Sequence, residues 1–150
     1  PACQAFRETM NIYFACSITG GRGFESIYRA ITAALLSDGH EVPTAHLADS
    51  RVRVFEGQVP AHEIYERDTA WIRTCEALVA EVSTPSHGVG YEVAYALSHG
   101  KPVLCVYRAG HPISKMLTGN SHPTLSVKNY RNAEEAIAVI RSFLNKLILL

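Results

Sequence analysis

Two carboxylates stand where the sequence would otherwise place packing or a plain turn. Glu92 follows the hydroxyl- and glycine-rich stretch STPSHGVG (83–90), which itself continues the apolar run ALVAEVS (77–83). Asp68 lies in HEIYERDTAWIRTCE, four residues after Ile64, three before Trp71 and four before Ile72, so helical spacing places it on the inward stripe. A carboxylate there is costly unless it is paired, hydrogen-bonded or used. The plain alternatives are that Asp68 bonds Arg67, Arg73 or a loop amide, and that Glu92 is a first-turn glutamate favoured by the helix dipole. Two carboxylates converging on one crevice would suit glycosidic chemistry. One attacks or stabilises an oxocarbenium-like anomeric carbon while the other protonates the leaving group. A gap of about 5 Å suits a covalent route, and about 7–9 Å a direct attack by water.

Other polar residues cluster around these two. SITGGRG (17–23) and STPSHGVG (83–90) both join a strand signal to a helix signal. Glycines let backbone amides approach a ligand, and a helix N-terminus favours an anion. Ser17, Thr19 and Ser86 add hydroxyls, Gly20, Gly88 and Gly90 add room, and Arg22 is the nearby cation. Tight turning alone would also account for the glycines. Neither loop has the GxGxxG spacing, so a mononucleotide or sugar phosphate fits better than a dinucleotide. Tyr13, between Ile12 and Phe14 in a strand signal, is a packing residue or a third member of the site, and His46 could line the crevice. The seven histidines and four cysteines show no zinc-ligand spacing, and no GxSxG elbow is present.

The elements that must position these residues alternate along the chain. Strand signals cover 11–17, 41–47, 77–83, 102–108 and 124–130; Pro43 marks the second as an edge strand. Helix signals cover 24–38 with Gly39 as cap, about 60–75, 91–100, a short piece at ISKML, and 133–148; ADSRVRVFEGQ (48–58) reads as a polar loop. This predicts an α/β, Rossmann-like or flavodoxin-like three-layer sandwich. Its five-stranded, mainly parallel sheet would have the order 2-1-3-4-5, with helices on both faces. In that order the crevice opens beyond the carboxyl ends of the first and third strands, where the two glycine loops meet.

Composition narrows the partners. The 150 residues, 47% hydrophobic and 19% charged, are expected to form one domain over 10–150; residues 1–9 would be an unstructured lead-in or an added remnant before a natural start at Met10. Fourteen basic residues balance fourteen acidic ones, which argues against a nucleic acid polymer as partner. No apolar run reaches the ~18 residues of a membrane span. Cys3, Cys16, Cys75 and Cys105 are scattered, and a reducing intracellular compartment, cytoplasmic or nuclear, is expected.

Taken together, IYFACSITGGR, ERDTAWI, VAEVSTPSHGVGYEVAYAL and KPVLCVYR resemble the 2′-deoxynucleoside 5′-monophosphate N-glycosidases of the nucleoside 2-deoxyribosyltransferase group, from Ile12 to about Tyr130. The resemblance implies hydrolysis of the N-glycosidic bond to free base and 2-deoxyribose 5-phosphate. Glu92 would be the nucleophile of a covalent intermediate, Asp68 the acid-base partner, and Tyr13 a positioning group. Ser17, Ile18, Gly20, Ser86 and Gly88 would frame the sugar phosphate. Ser114 and Met116 would complete the neighbouring subunit's site in a homodimer, with no metal or organic cofactor. Where the family usually has an arginine after SI, this chain has Thr19, which leaves base and sugar preference open unless Arg22 substitutes. The competing readings are base exchange by a deoxyribosyltransferase, a ribonucleotide N-glycosidase, and a non-catalytic nucleotide-binding module.

Overall fold

Runs rich in Val, Ile, Leu, Tyr and Phe with no polar alternation belong to strands covered on both faces. In the computed structural model, which describes residues 9–150, three such runs form β1 (Ile12–Ala15), β2 (Ala77–Glu81) and β3 (Val103–Arg108), and the more polar, half-exposed LSVKNY adds β4 (Leu125–Tyr130) at the edge. Their order is β1-β2-β3-β4, and every pairing is parallel. Around them lie α1 (Glu25–Ser37), α2 (Val52–Glu56), α3 (Ala61–Thr74), α4 (His87–Ser98), α5 (Lys115–Thr118) and α6 (Ala133–Ile148). The expectations for residues 1–8 fall outside the described residues; Met10 is buried against the core.

The period-2 alternation of strand side chains divides the core into two layers. Ile12, Phe14, Ala77, Val79, Leu104 and Val106 pack with Ile31 and Leu35 of α1 and Ile140 and Leu144 of α6. Tyr13, Ala15, Leu78, Ala80, Val103 and Cys105 pack on the opposite face with Ile72 of α3 and Val89, Val93 and Ala96 of α4. Tyr13 is therefore committed to the face carrying α3 and α4, the two helices that hold Asp68 and Glu92. Helix α1 ends as its sequence predicts: Gly39 has φ +89°, and the amides of Gly39 and His40 bond the carbonyls of Leu36 and Leu35.

The sheet has four strands, not five. The segment at 41–47 contributes one parallel bridge, Asn11 to Glu41, and then a 3₁₀ turn at Ala45–Ala48. Pro43 has no amide proton to offer a ladder. Thr44 satisfies the edge of β1 instead, because its buried hydroxyl accepts from the Phe14 amide at 3.0 Å and donates to the Phe14 carbonyl at 2.7 Å. The position beside β1 is the predicted one, but a side chain does the work of a strand.

Two further boundaries differ. The stretch 48–58 is not wholly loop, since Val52 is fully buried and anchors the short α2. Helix α4 starts at His87, four residues before the predicted 91, because the Ser86 hydroxyl accepts from the Val89 amide and caps the helix there. Gly88 and Gly90 therefore lie within its first turns. No helix among the described residues is long and apolar enough to cross a membrane.

Candidate active site

Three elements bring the candidate catalytic groups together. Tyr13 is fully buried in β1, and its hydroxyl donates to Glu92 Oε1 at 2.8 Å. Glu92 is the sixth residue of α4, so it is not the first-turn glutamate expected from sequence. One turn further in, the dipole no longer holds it ionised. Enclosure by protein dominates and pushes its carboxyl up to about 7; the Tyr13 hydrogen bond pulls the other way, while the nearby Asp68 charge adds to the rise. Burial and the Glu92 charge raise the Tyr13 hydroxyl far above its ordinary value, so it remains a proton donor.

Asp68 sits on the inward side of α3, as its spacing predicts. Burial raises its carboxyl above the ordinary value, although Arg67 Nε donates to Oδ1 at 2.8 Å and opposes that rise. Arg67 Nη2 also spans both oxygens of Glu56, at 3.0 and 3.2 Å, and its guanidinium lies 4.9 Å from the centre of the Trp71 ring. Glu56 Oε1 in turn lies 2.7 Å from His46 Nε2. Asp68 is thus one end of a chain of four charged or titratable groups.

Glu92, Asp68, Glu56, Arg67 and Arg53 line one cavity of about 480 Å³, together with Ile18, Thr19, Ser86 and Gly88. That volume lies within the range of small-molecule sites. The cavity opens where the loops after β1 and β2 meet. A Cβ on Gly20 would stand 2.3 Å from the Pro85 carbonyl oxygen, so the contact between the loops requires glycine.

The remaining predicted residues divide. Ser17 is fully buried with no hydrogen-bond partner for its hydroxyl oxygen, between Cys16 and Ile18, which do line the cavity. Arg22 is not a free cation. Its guanidinium donates to the Ser17, Leu47 and Asp49 carbonyls and to Glu25, clamping the loop after β1 onto the 3₁₀ turn. His46 does not itself line the cavity; it reaches it through its contact with Glu56 and through its charge, which acts to lower the Asp68 carboxyl. Gly90, Ser114 and Met116 line a second cavity of about 560 Å³, which shares Ser86 and Val89 with the first.

Sequence reasoning missed Glu56 and Arg53, and saw Arg67 only as a bonding partner for Asp68. RVRVFE is too short for helical periodicity to show, so its one buried valine was the only available signal. Among the described residues, no group of three or more His, Cys, Asp or Glu could hold a metal ion.

A parallel α/β sheet with two carboxylates lining a cleft at its strand ends, one of them bonded by a buried strand tyrosine, defines a class able to act on a glycosidic bond. The chain belongs to the nucleoside 2-deoxyribosyltransferase family, whose model matches residues 12–138. A Methanococcoides burtonii protein, provisionally named 2′-deoxynucleoside 5′-phosphate N-hydrolase 1, is 42% identical over 119 residues, covering 79% of this chain and 98% of its own. The mouse protein named 5-hydroxymethyl-dUMP N-hydrolase is 42% identical over 113 residues, covering 73% of this chain and 65% of its own. Among solved structures, a CMP N-glycosidase of Clostridium botulinum superposes with a TM-score of 0.67 over 88% of this chain and 98% of that one. At 14% identity, that likeness bears on the fold alone.

Proposed function

We propose that this protein is an N-glycosidase that hydrolyses 2′-deoxynucleoside 5′-monophosphates to free nucleobase and 2-deoxyribose 5-phosphate. The observation that carries the reading is the hydrogen bond from Tyr13 to Glu92 in the cavity that also holds Asp68. The names of the related N-hydrolases supply the substrate class.

In the first step the ionised Glu92 carboxylate attacks C1′, and the C1′–N bond breaks with its electron pair leaving on the base. Asp68 protonates the departing nitrogen, a task suited to a carboxyl raised by burial. Asp68 then takes a proton from water, whose oxygen attacks C1′ and frees Glu92. One water is consumed overall and both carboxyls return to their starting states. Tyr13 holds Glu92 in line and stabilises its charge when it leaves.

We also propose a homodimer in which Ser114 and Met116 complete the partner's site. Its support is that Met116 is 82% exposed beside the second, largely apolar cavity. Sedimentation at micromolar concentration tests this, and a monomer would contradict it. A reducing intracellular compartment is supported by Cys16, Cys75 and Cys105, which are buried free thiols.

The activity is tested by incubating the protein with the four deoxynucleoside 5′-monophosphates and with their ribo and unphosphorylated counterparts, following free base by chromatography. Release from the deoxy monophosphates, abolished in Glu92→Gln, is expected. Exchange that requires an added acceptor base would make the protein a transferase instead, and release from ribonucleotides would change the sugar.

A further inference from the structure

We propose that Arg53 is the residue that binds the 5′-phosphate of the substrate; the identity of that ligand rests on the N-glycosidase reading above. A nucleoside monophosphate brings close to two negative charges into a cavity that already holds Asp68, Glu56 and Glu92. Such an anion is held most strongly by a cation not already matched by a carboxylate.

Among the described residues that line this cavity, the cations are Arg53 and Arg67. Arg67 is committed, donating to Asp68 and to both oxygens of Glu56. Arg22, the cation that the sequence offered, is spent on three carbonyls and Glu25. Arg53 has no carboxylate oxygen within 4.0 Å among the described residues. Its Nε and Nη2 share a single neutral acceptor, the Ile18 carbonyl, each at 3.2 Å.

That carbonyl places the guanidinium beside Thr19, at the cavity that Ser86 and Gly88 also line. The residue is exposed on α2, whose other side is fixed by the buried Val52. A change of side-chain rotamer can therefore exchange the carbonyl for a phosphate without moving the helix. A phosphate oxygen is the stronger acceptor for a guanidinium. Thr19 supplies a hydroxyl but no charge, so the cationic role falls to the neighbouring helix.

Calorimetric titration of the Glu92→Gln protein, with and without Arg53→Ala, tests this with each 2′-deoxynucleoside 5′-monophosphate and its unphosphorylated nucleoside. Loss of a charge-assisted hydrogen bond is expected to weaken monophosphate binding about 10- to 100-fold and nucleoside binding less than about twofold. Arg53→Lys should restore part of the loss. Arg51→Ala, which removes an arginine that pairs with Asp49 and does not line the cavity, should change neither. An equal loss for both ligands, or none for either, would overturn the assignment. If the unmutated protein releases no base while the phosphate-dependent loss appears, the N-glycosidase reading falls and Arg53 keeps its role. If neither ligand binds even with Arg53 in place, both fall.

Discussion

Glu92 sits one turn inside a twelve-residue helix, where protein enclosure outweighs the helix dipole and its carboxyl is pushed up to about 7. A nucleophile must be ionised, so kcat/KM should rise with pH through an acid limb near 7. Tyr13→Phe removes a hydrogen bond that lowers the Glu92 carboxyl. The limb should therefore move to higher pH, which a pH-rate profile reads directly; an unmoved limb would mean that another group sets it. The same raised carboxyl affects folding. Its folded value lies above the ordinary 4.5, so its contribution to stability is full below about 4.5 and is lost as pH rises through about 7. Glu92→Gln should accordingly stabilise the protein by roughly 3 kcal/mol at pH 8 and by nothing near pH 4, as thermal melts at the two pH values would show. The sequence made Asp68 legible, since a carboxylate on an apolar stripe is anomalous at any distance. It could not reveal the state of Glu92, because four residues of misjudged helix start separate a dipole-stabilised glutamate from an enclosed one.

Element by element, the sheet followed from apolar runs and the helices from their spacing, and α6 spans the predicted 133–148. What failed was the segment at 41–47, where Thr44 replaces a strand by bonding both backbone groups of Phe14. No pattern rule distinguishes a threonine used in that way from one within a strand. Thr44→Val keeps the shape and leaves a buried amide and carbonyl without partners, so it should destabilise the fold by about 2–4 kcal/mol in urea titration. A loss well under about 1 kcal/mol would mean that water replaces the hydroxyl there. Helix α2 shows a second kind of limit. With five residues it has no periodicity to detect, yet it delivers Arg53 and Glu56 to the cavity.

Across the molecule, the parallel order of the strands collects the loops after β1 and β2 at one end, and the cavity opens there. Strand alternation sends Tyr13 towards α3 and α4, which close over it with Asp68 and Glu92. The equal numbers of acidic and basic residues give no formal net charge to attract an anion, so recognition of a charged substrate falls to local groups in the cleft. The central claim is that Glu92 forms a covalent bond to C1′, which makes the reaction two inversions in sequence. The most direct measurement is hydrolysis of a 2′-deoxynucleoside 5′-monophosphate in buffer containing methanol, with the anomeric configuration of the methyl glycoside product followed by nuclear magnetic resonance. Retention of the substrate's β configuration is predicted; an α product would mean a single displacement and would contradict the assignment of Glu92 as nucleophile.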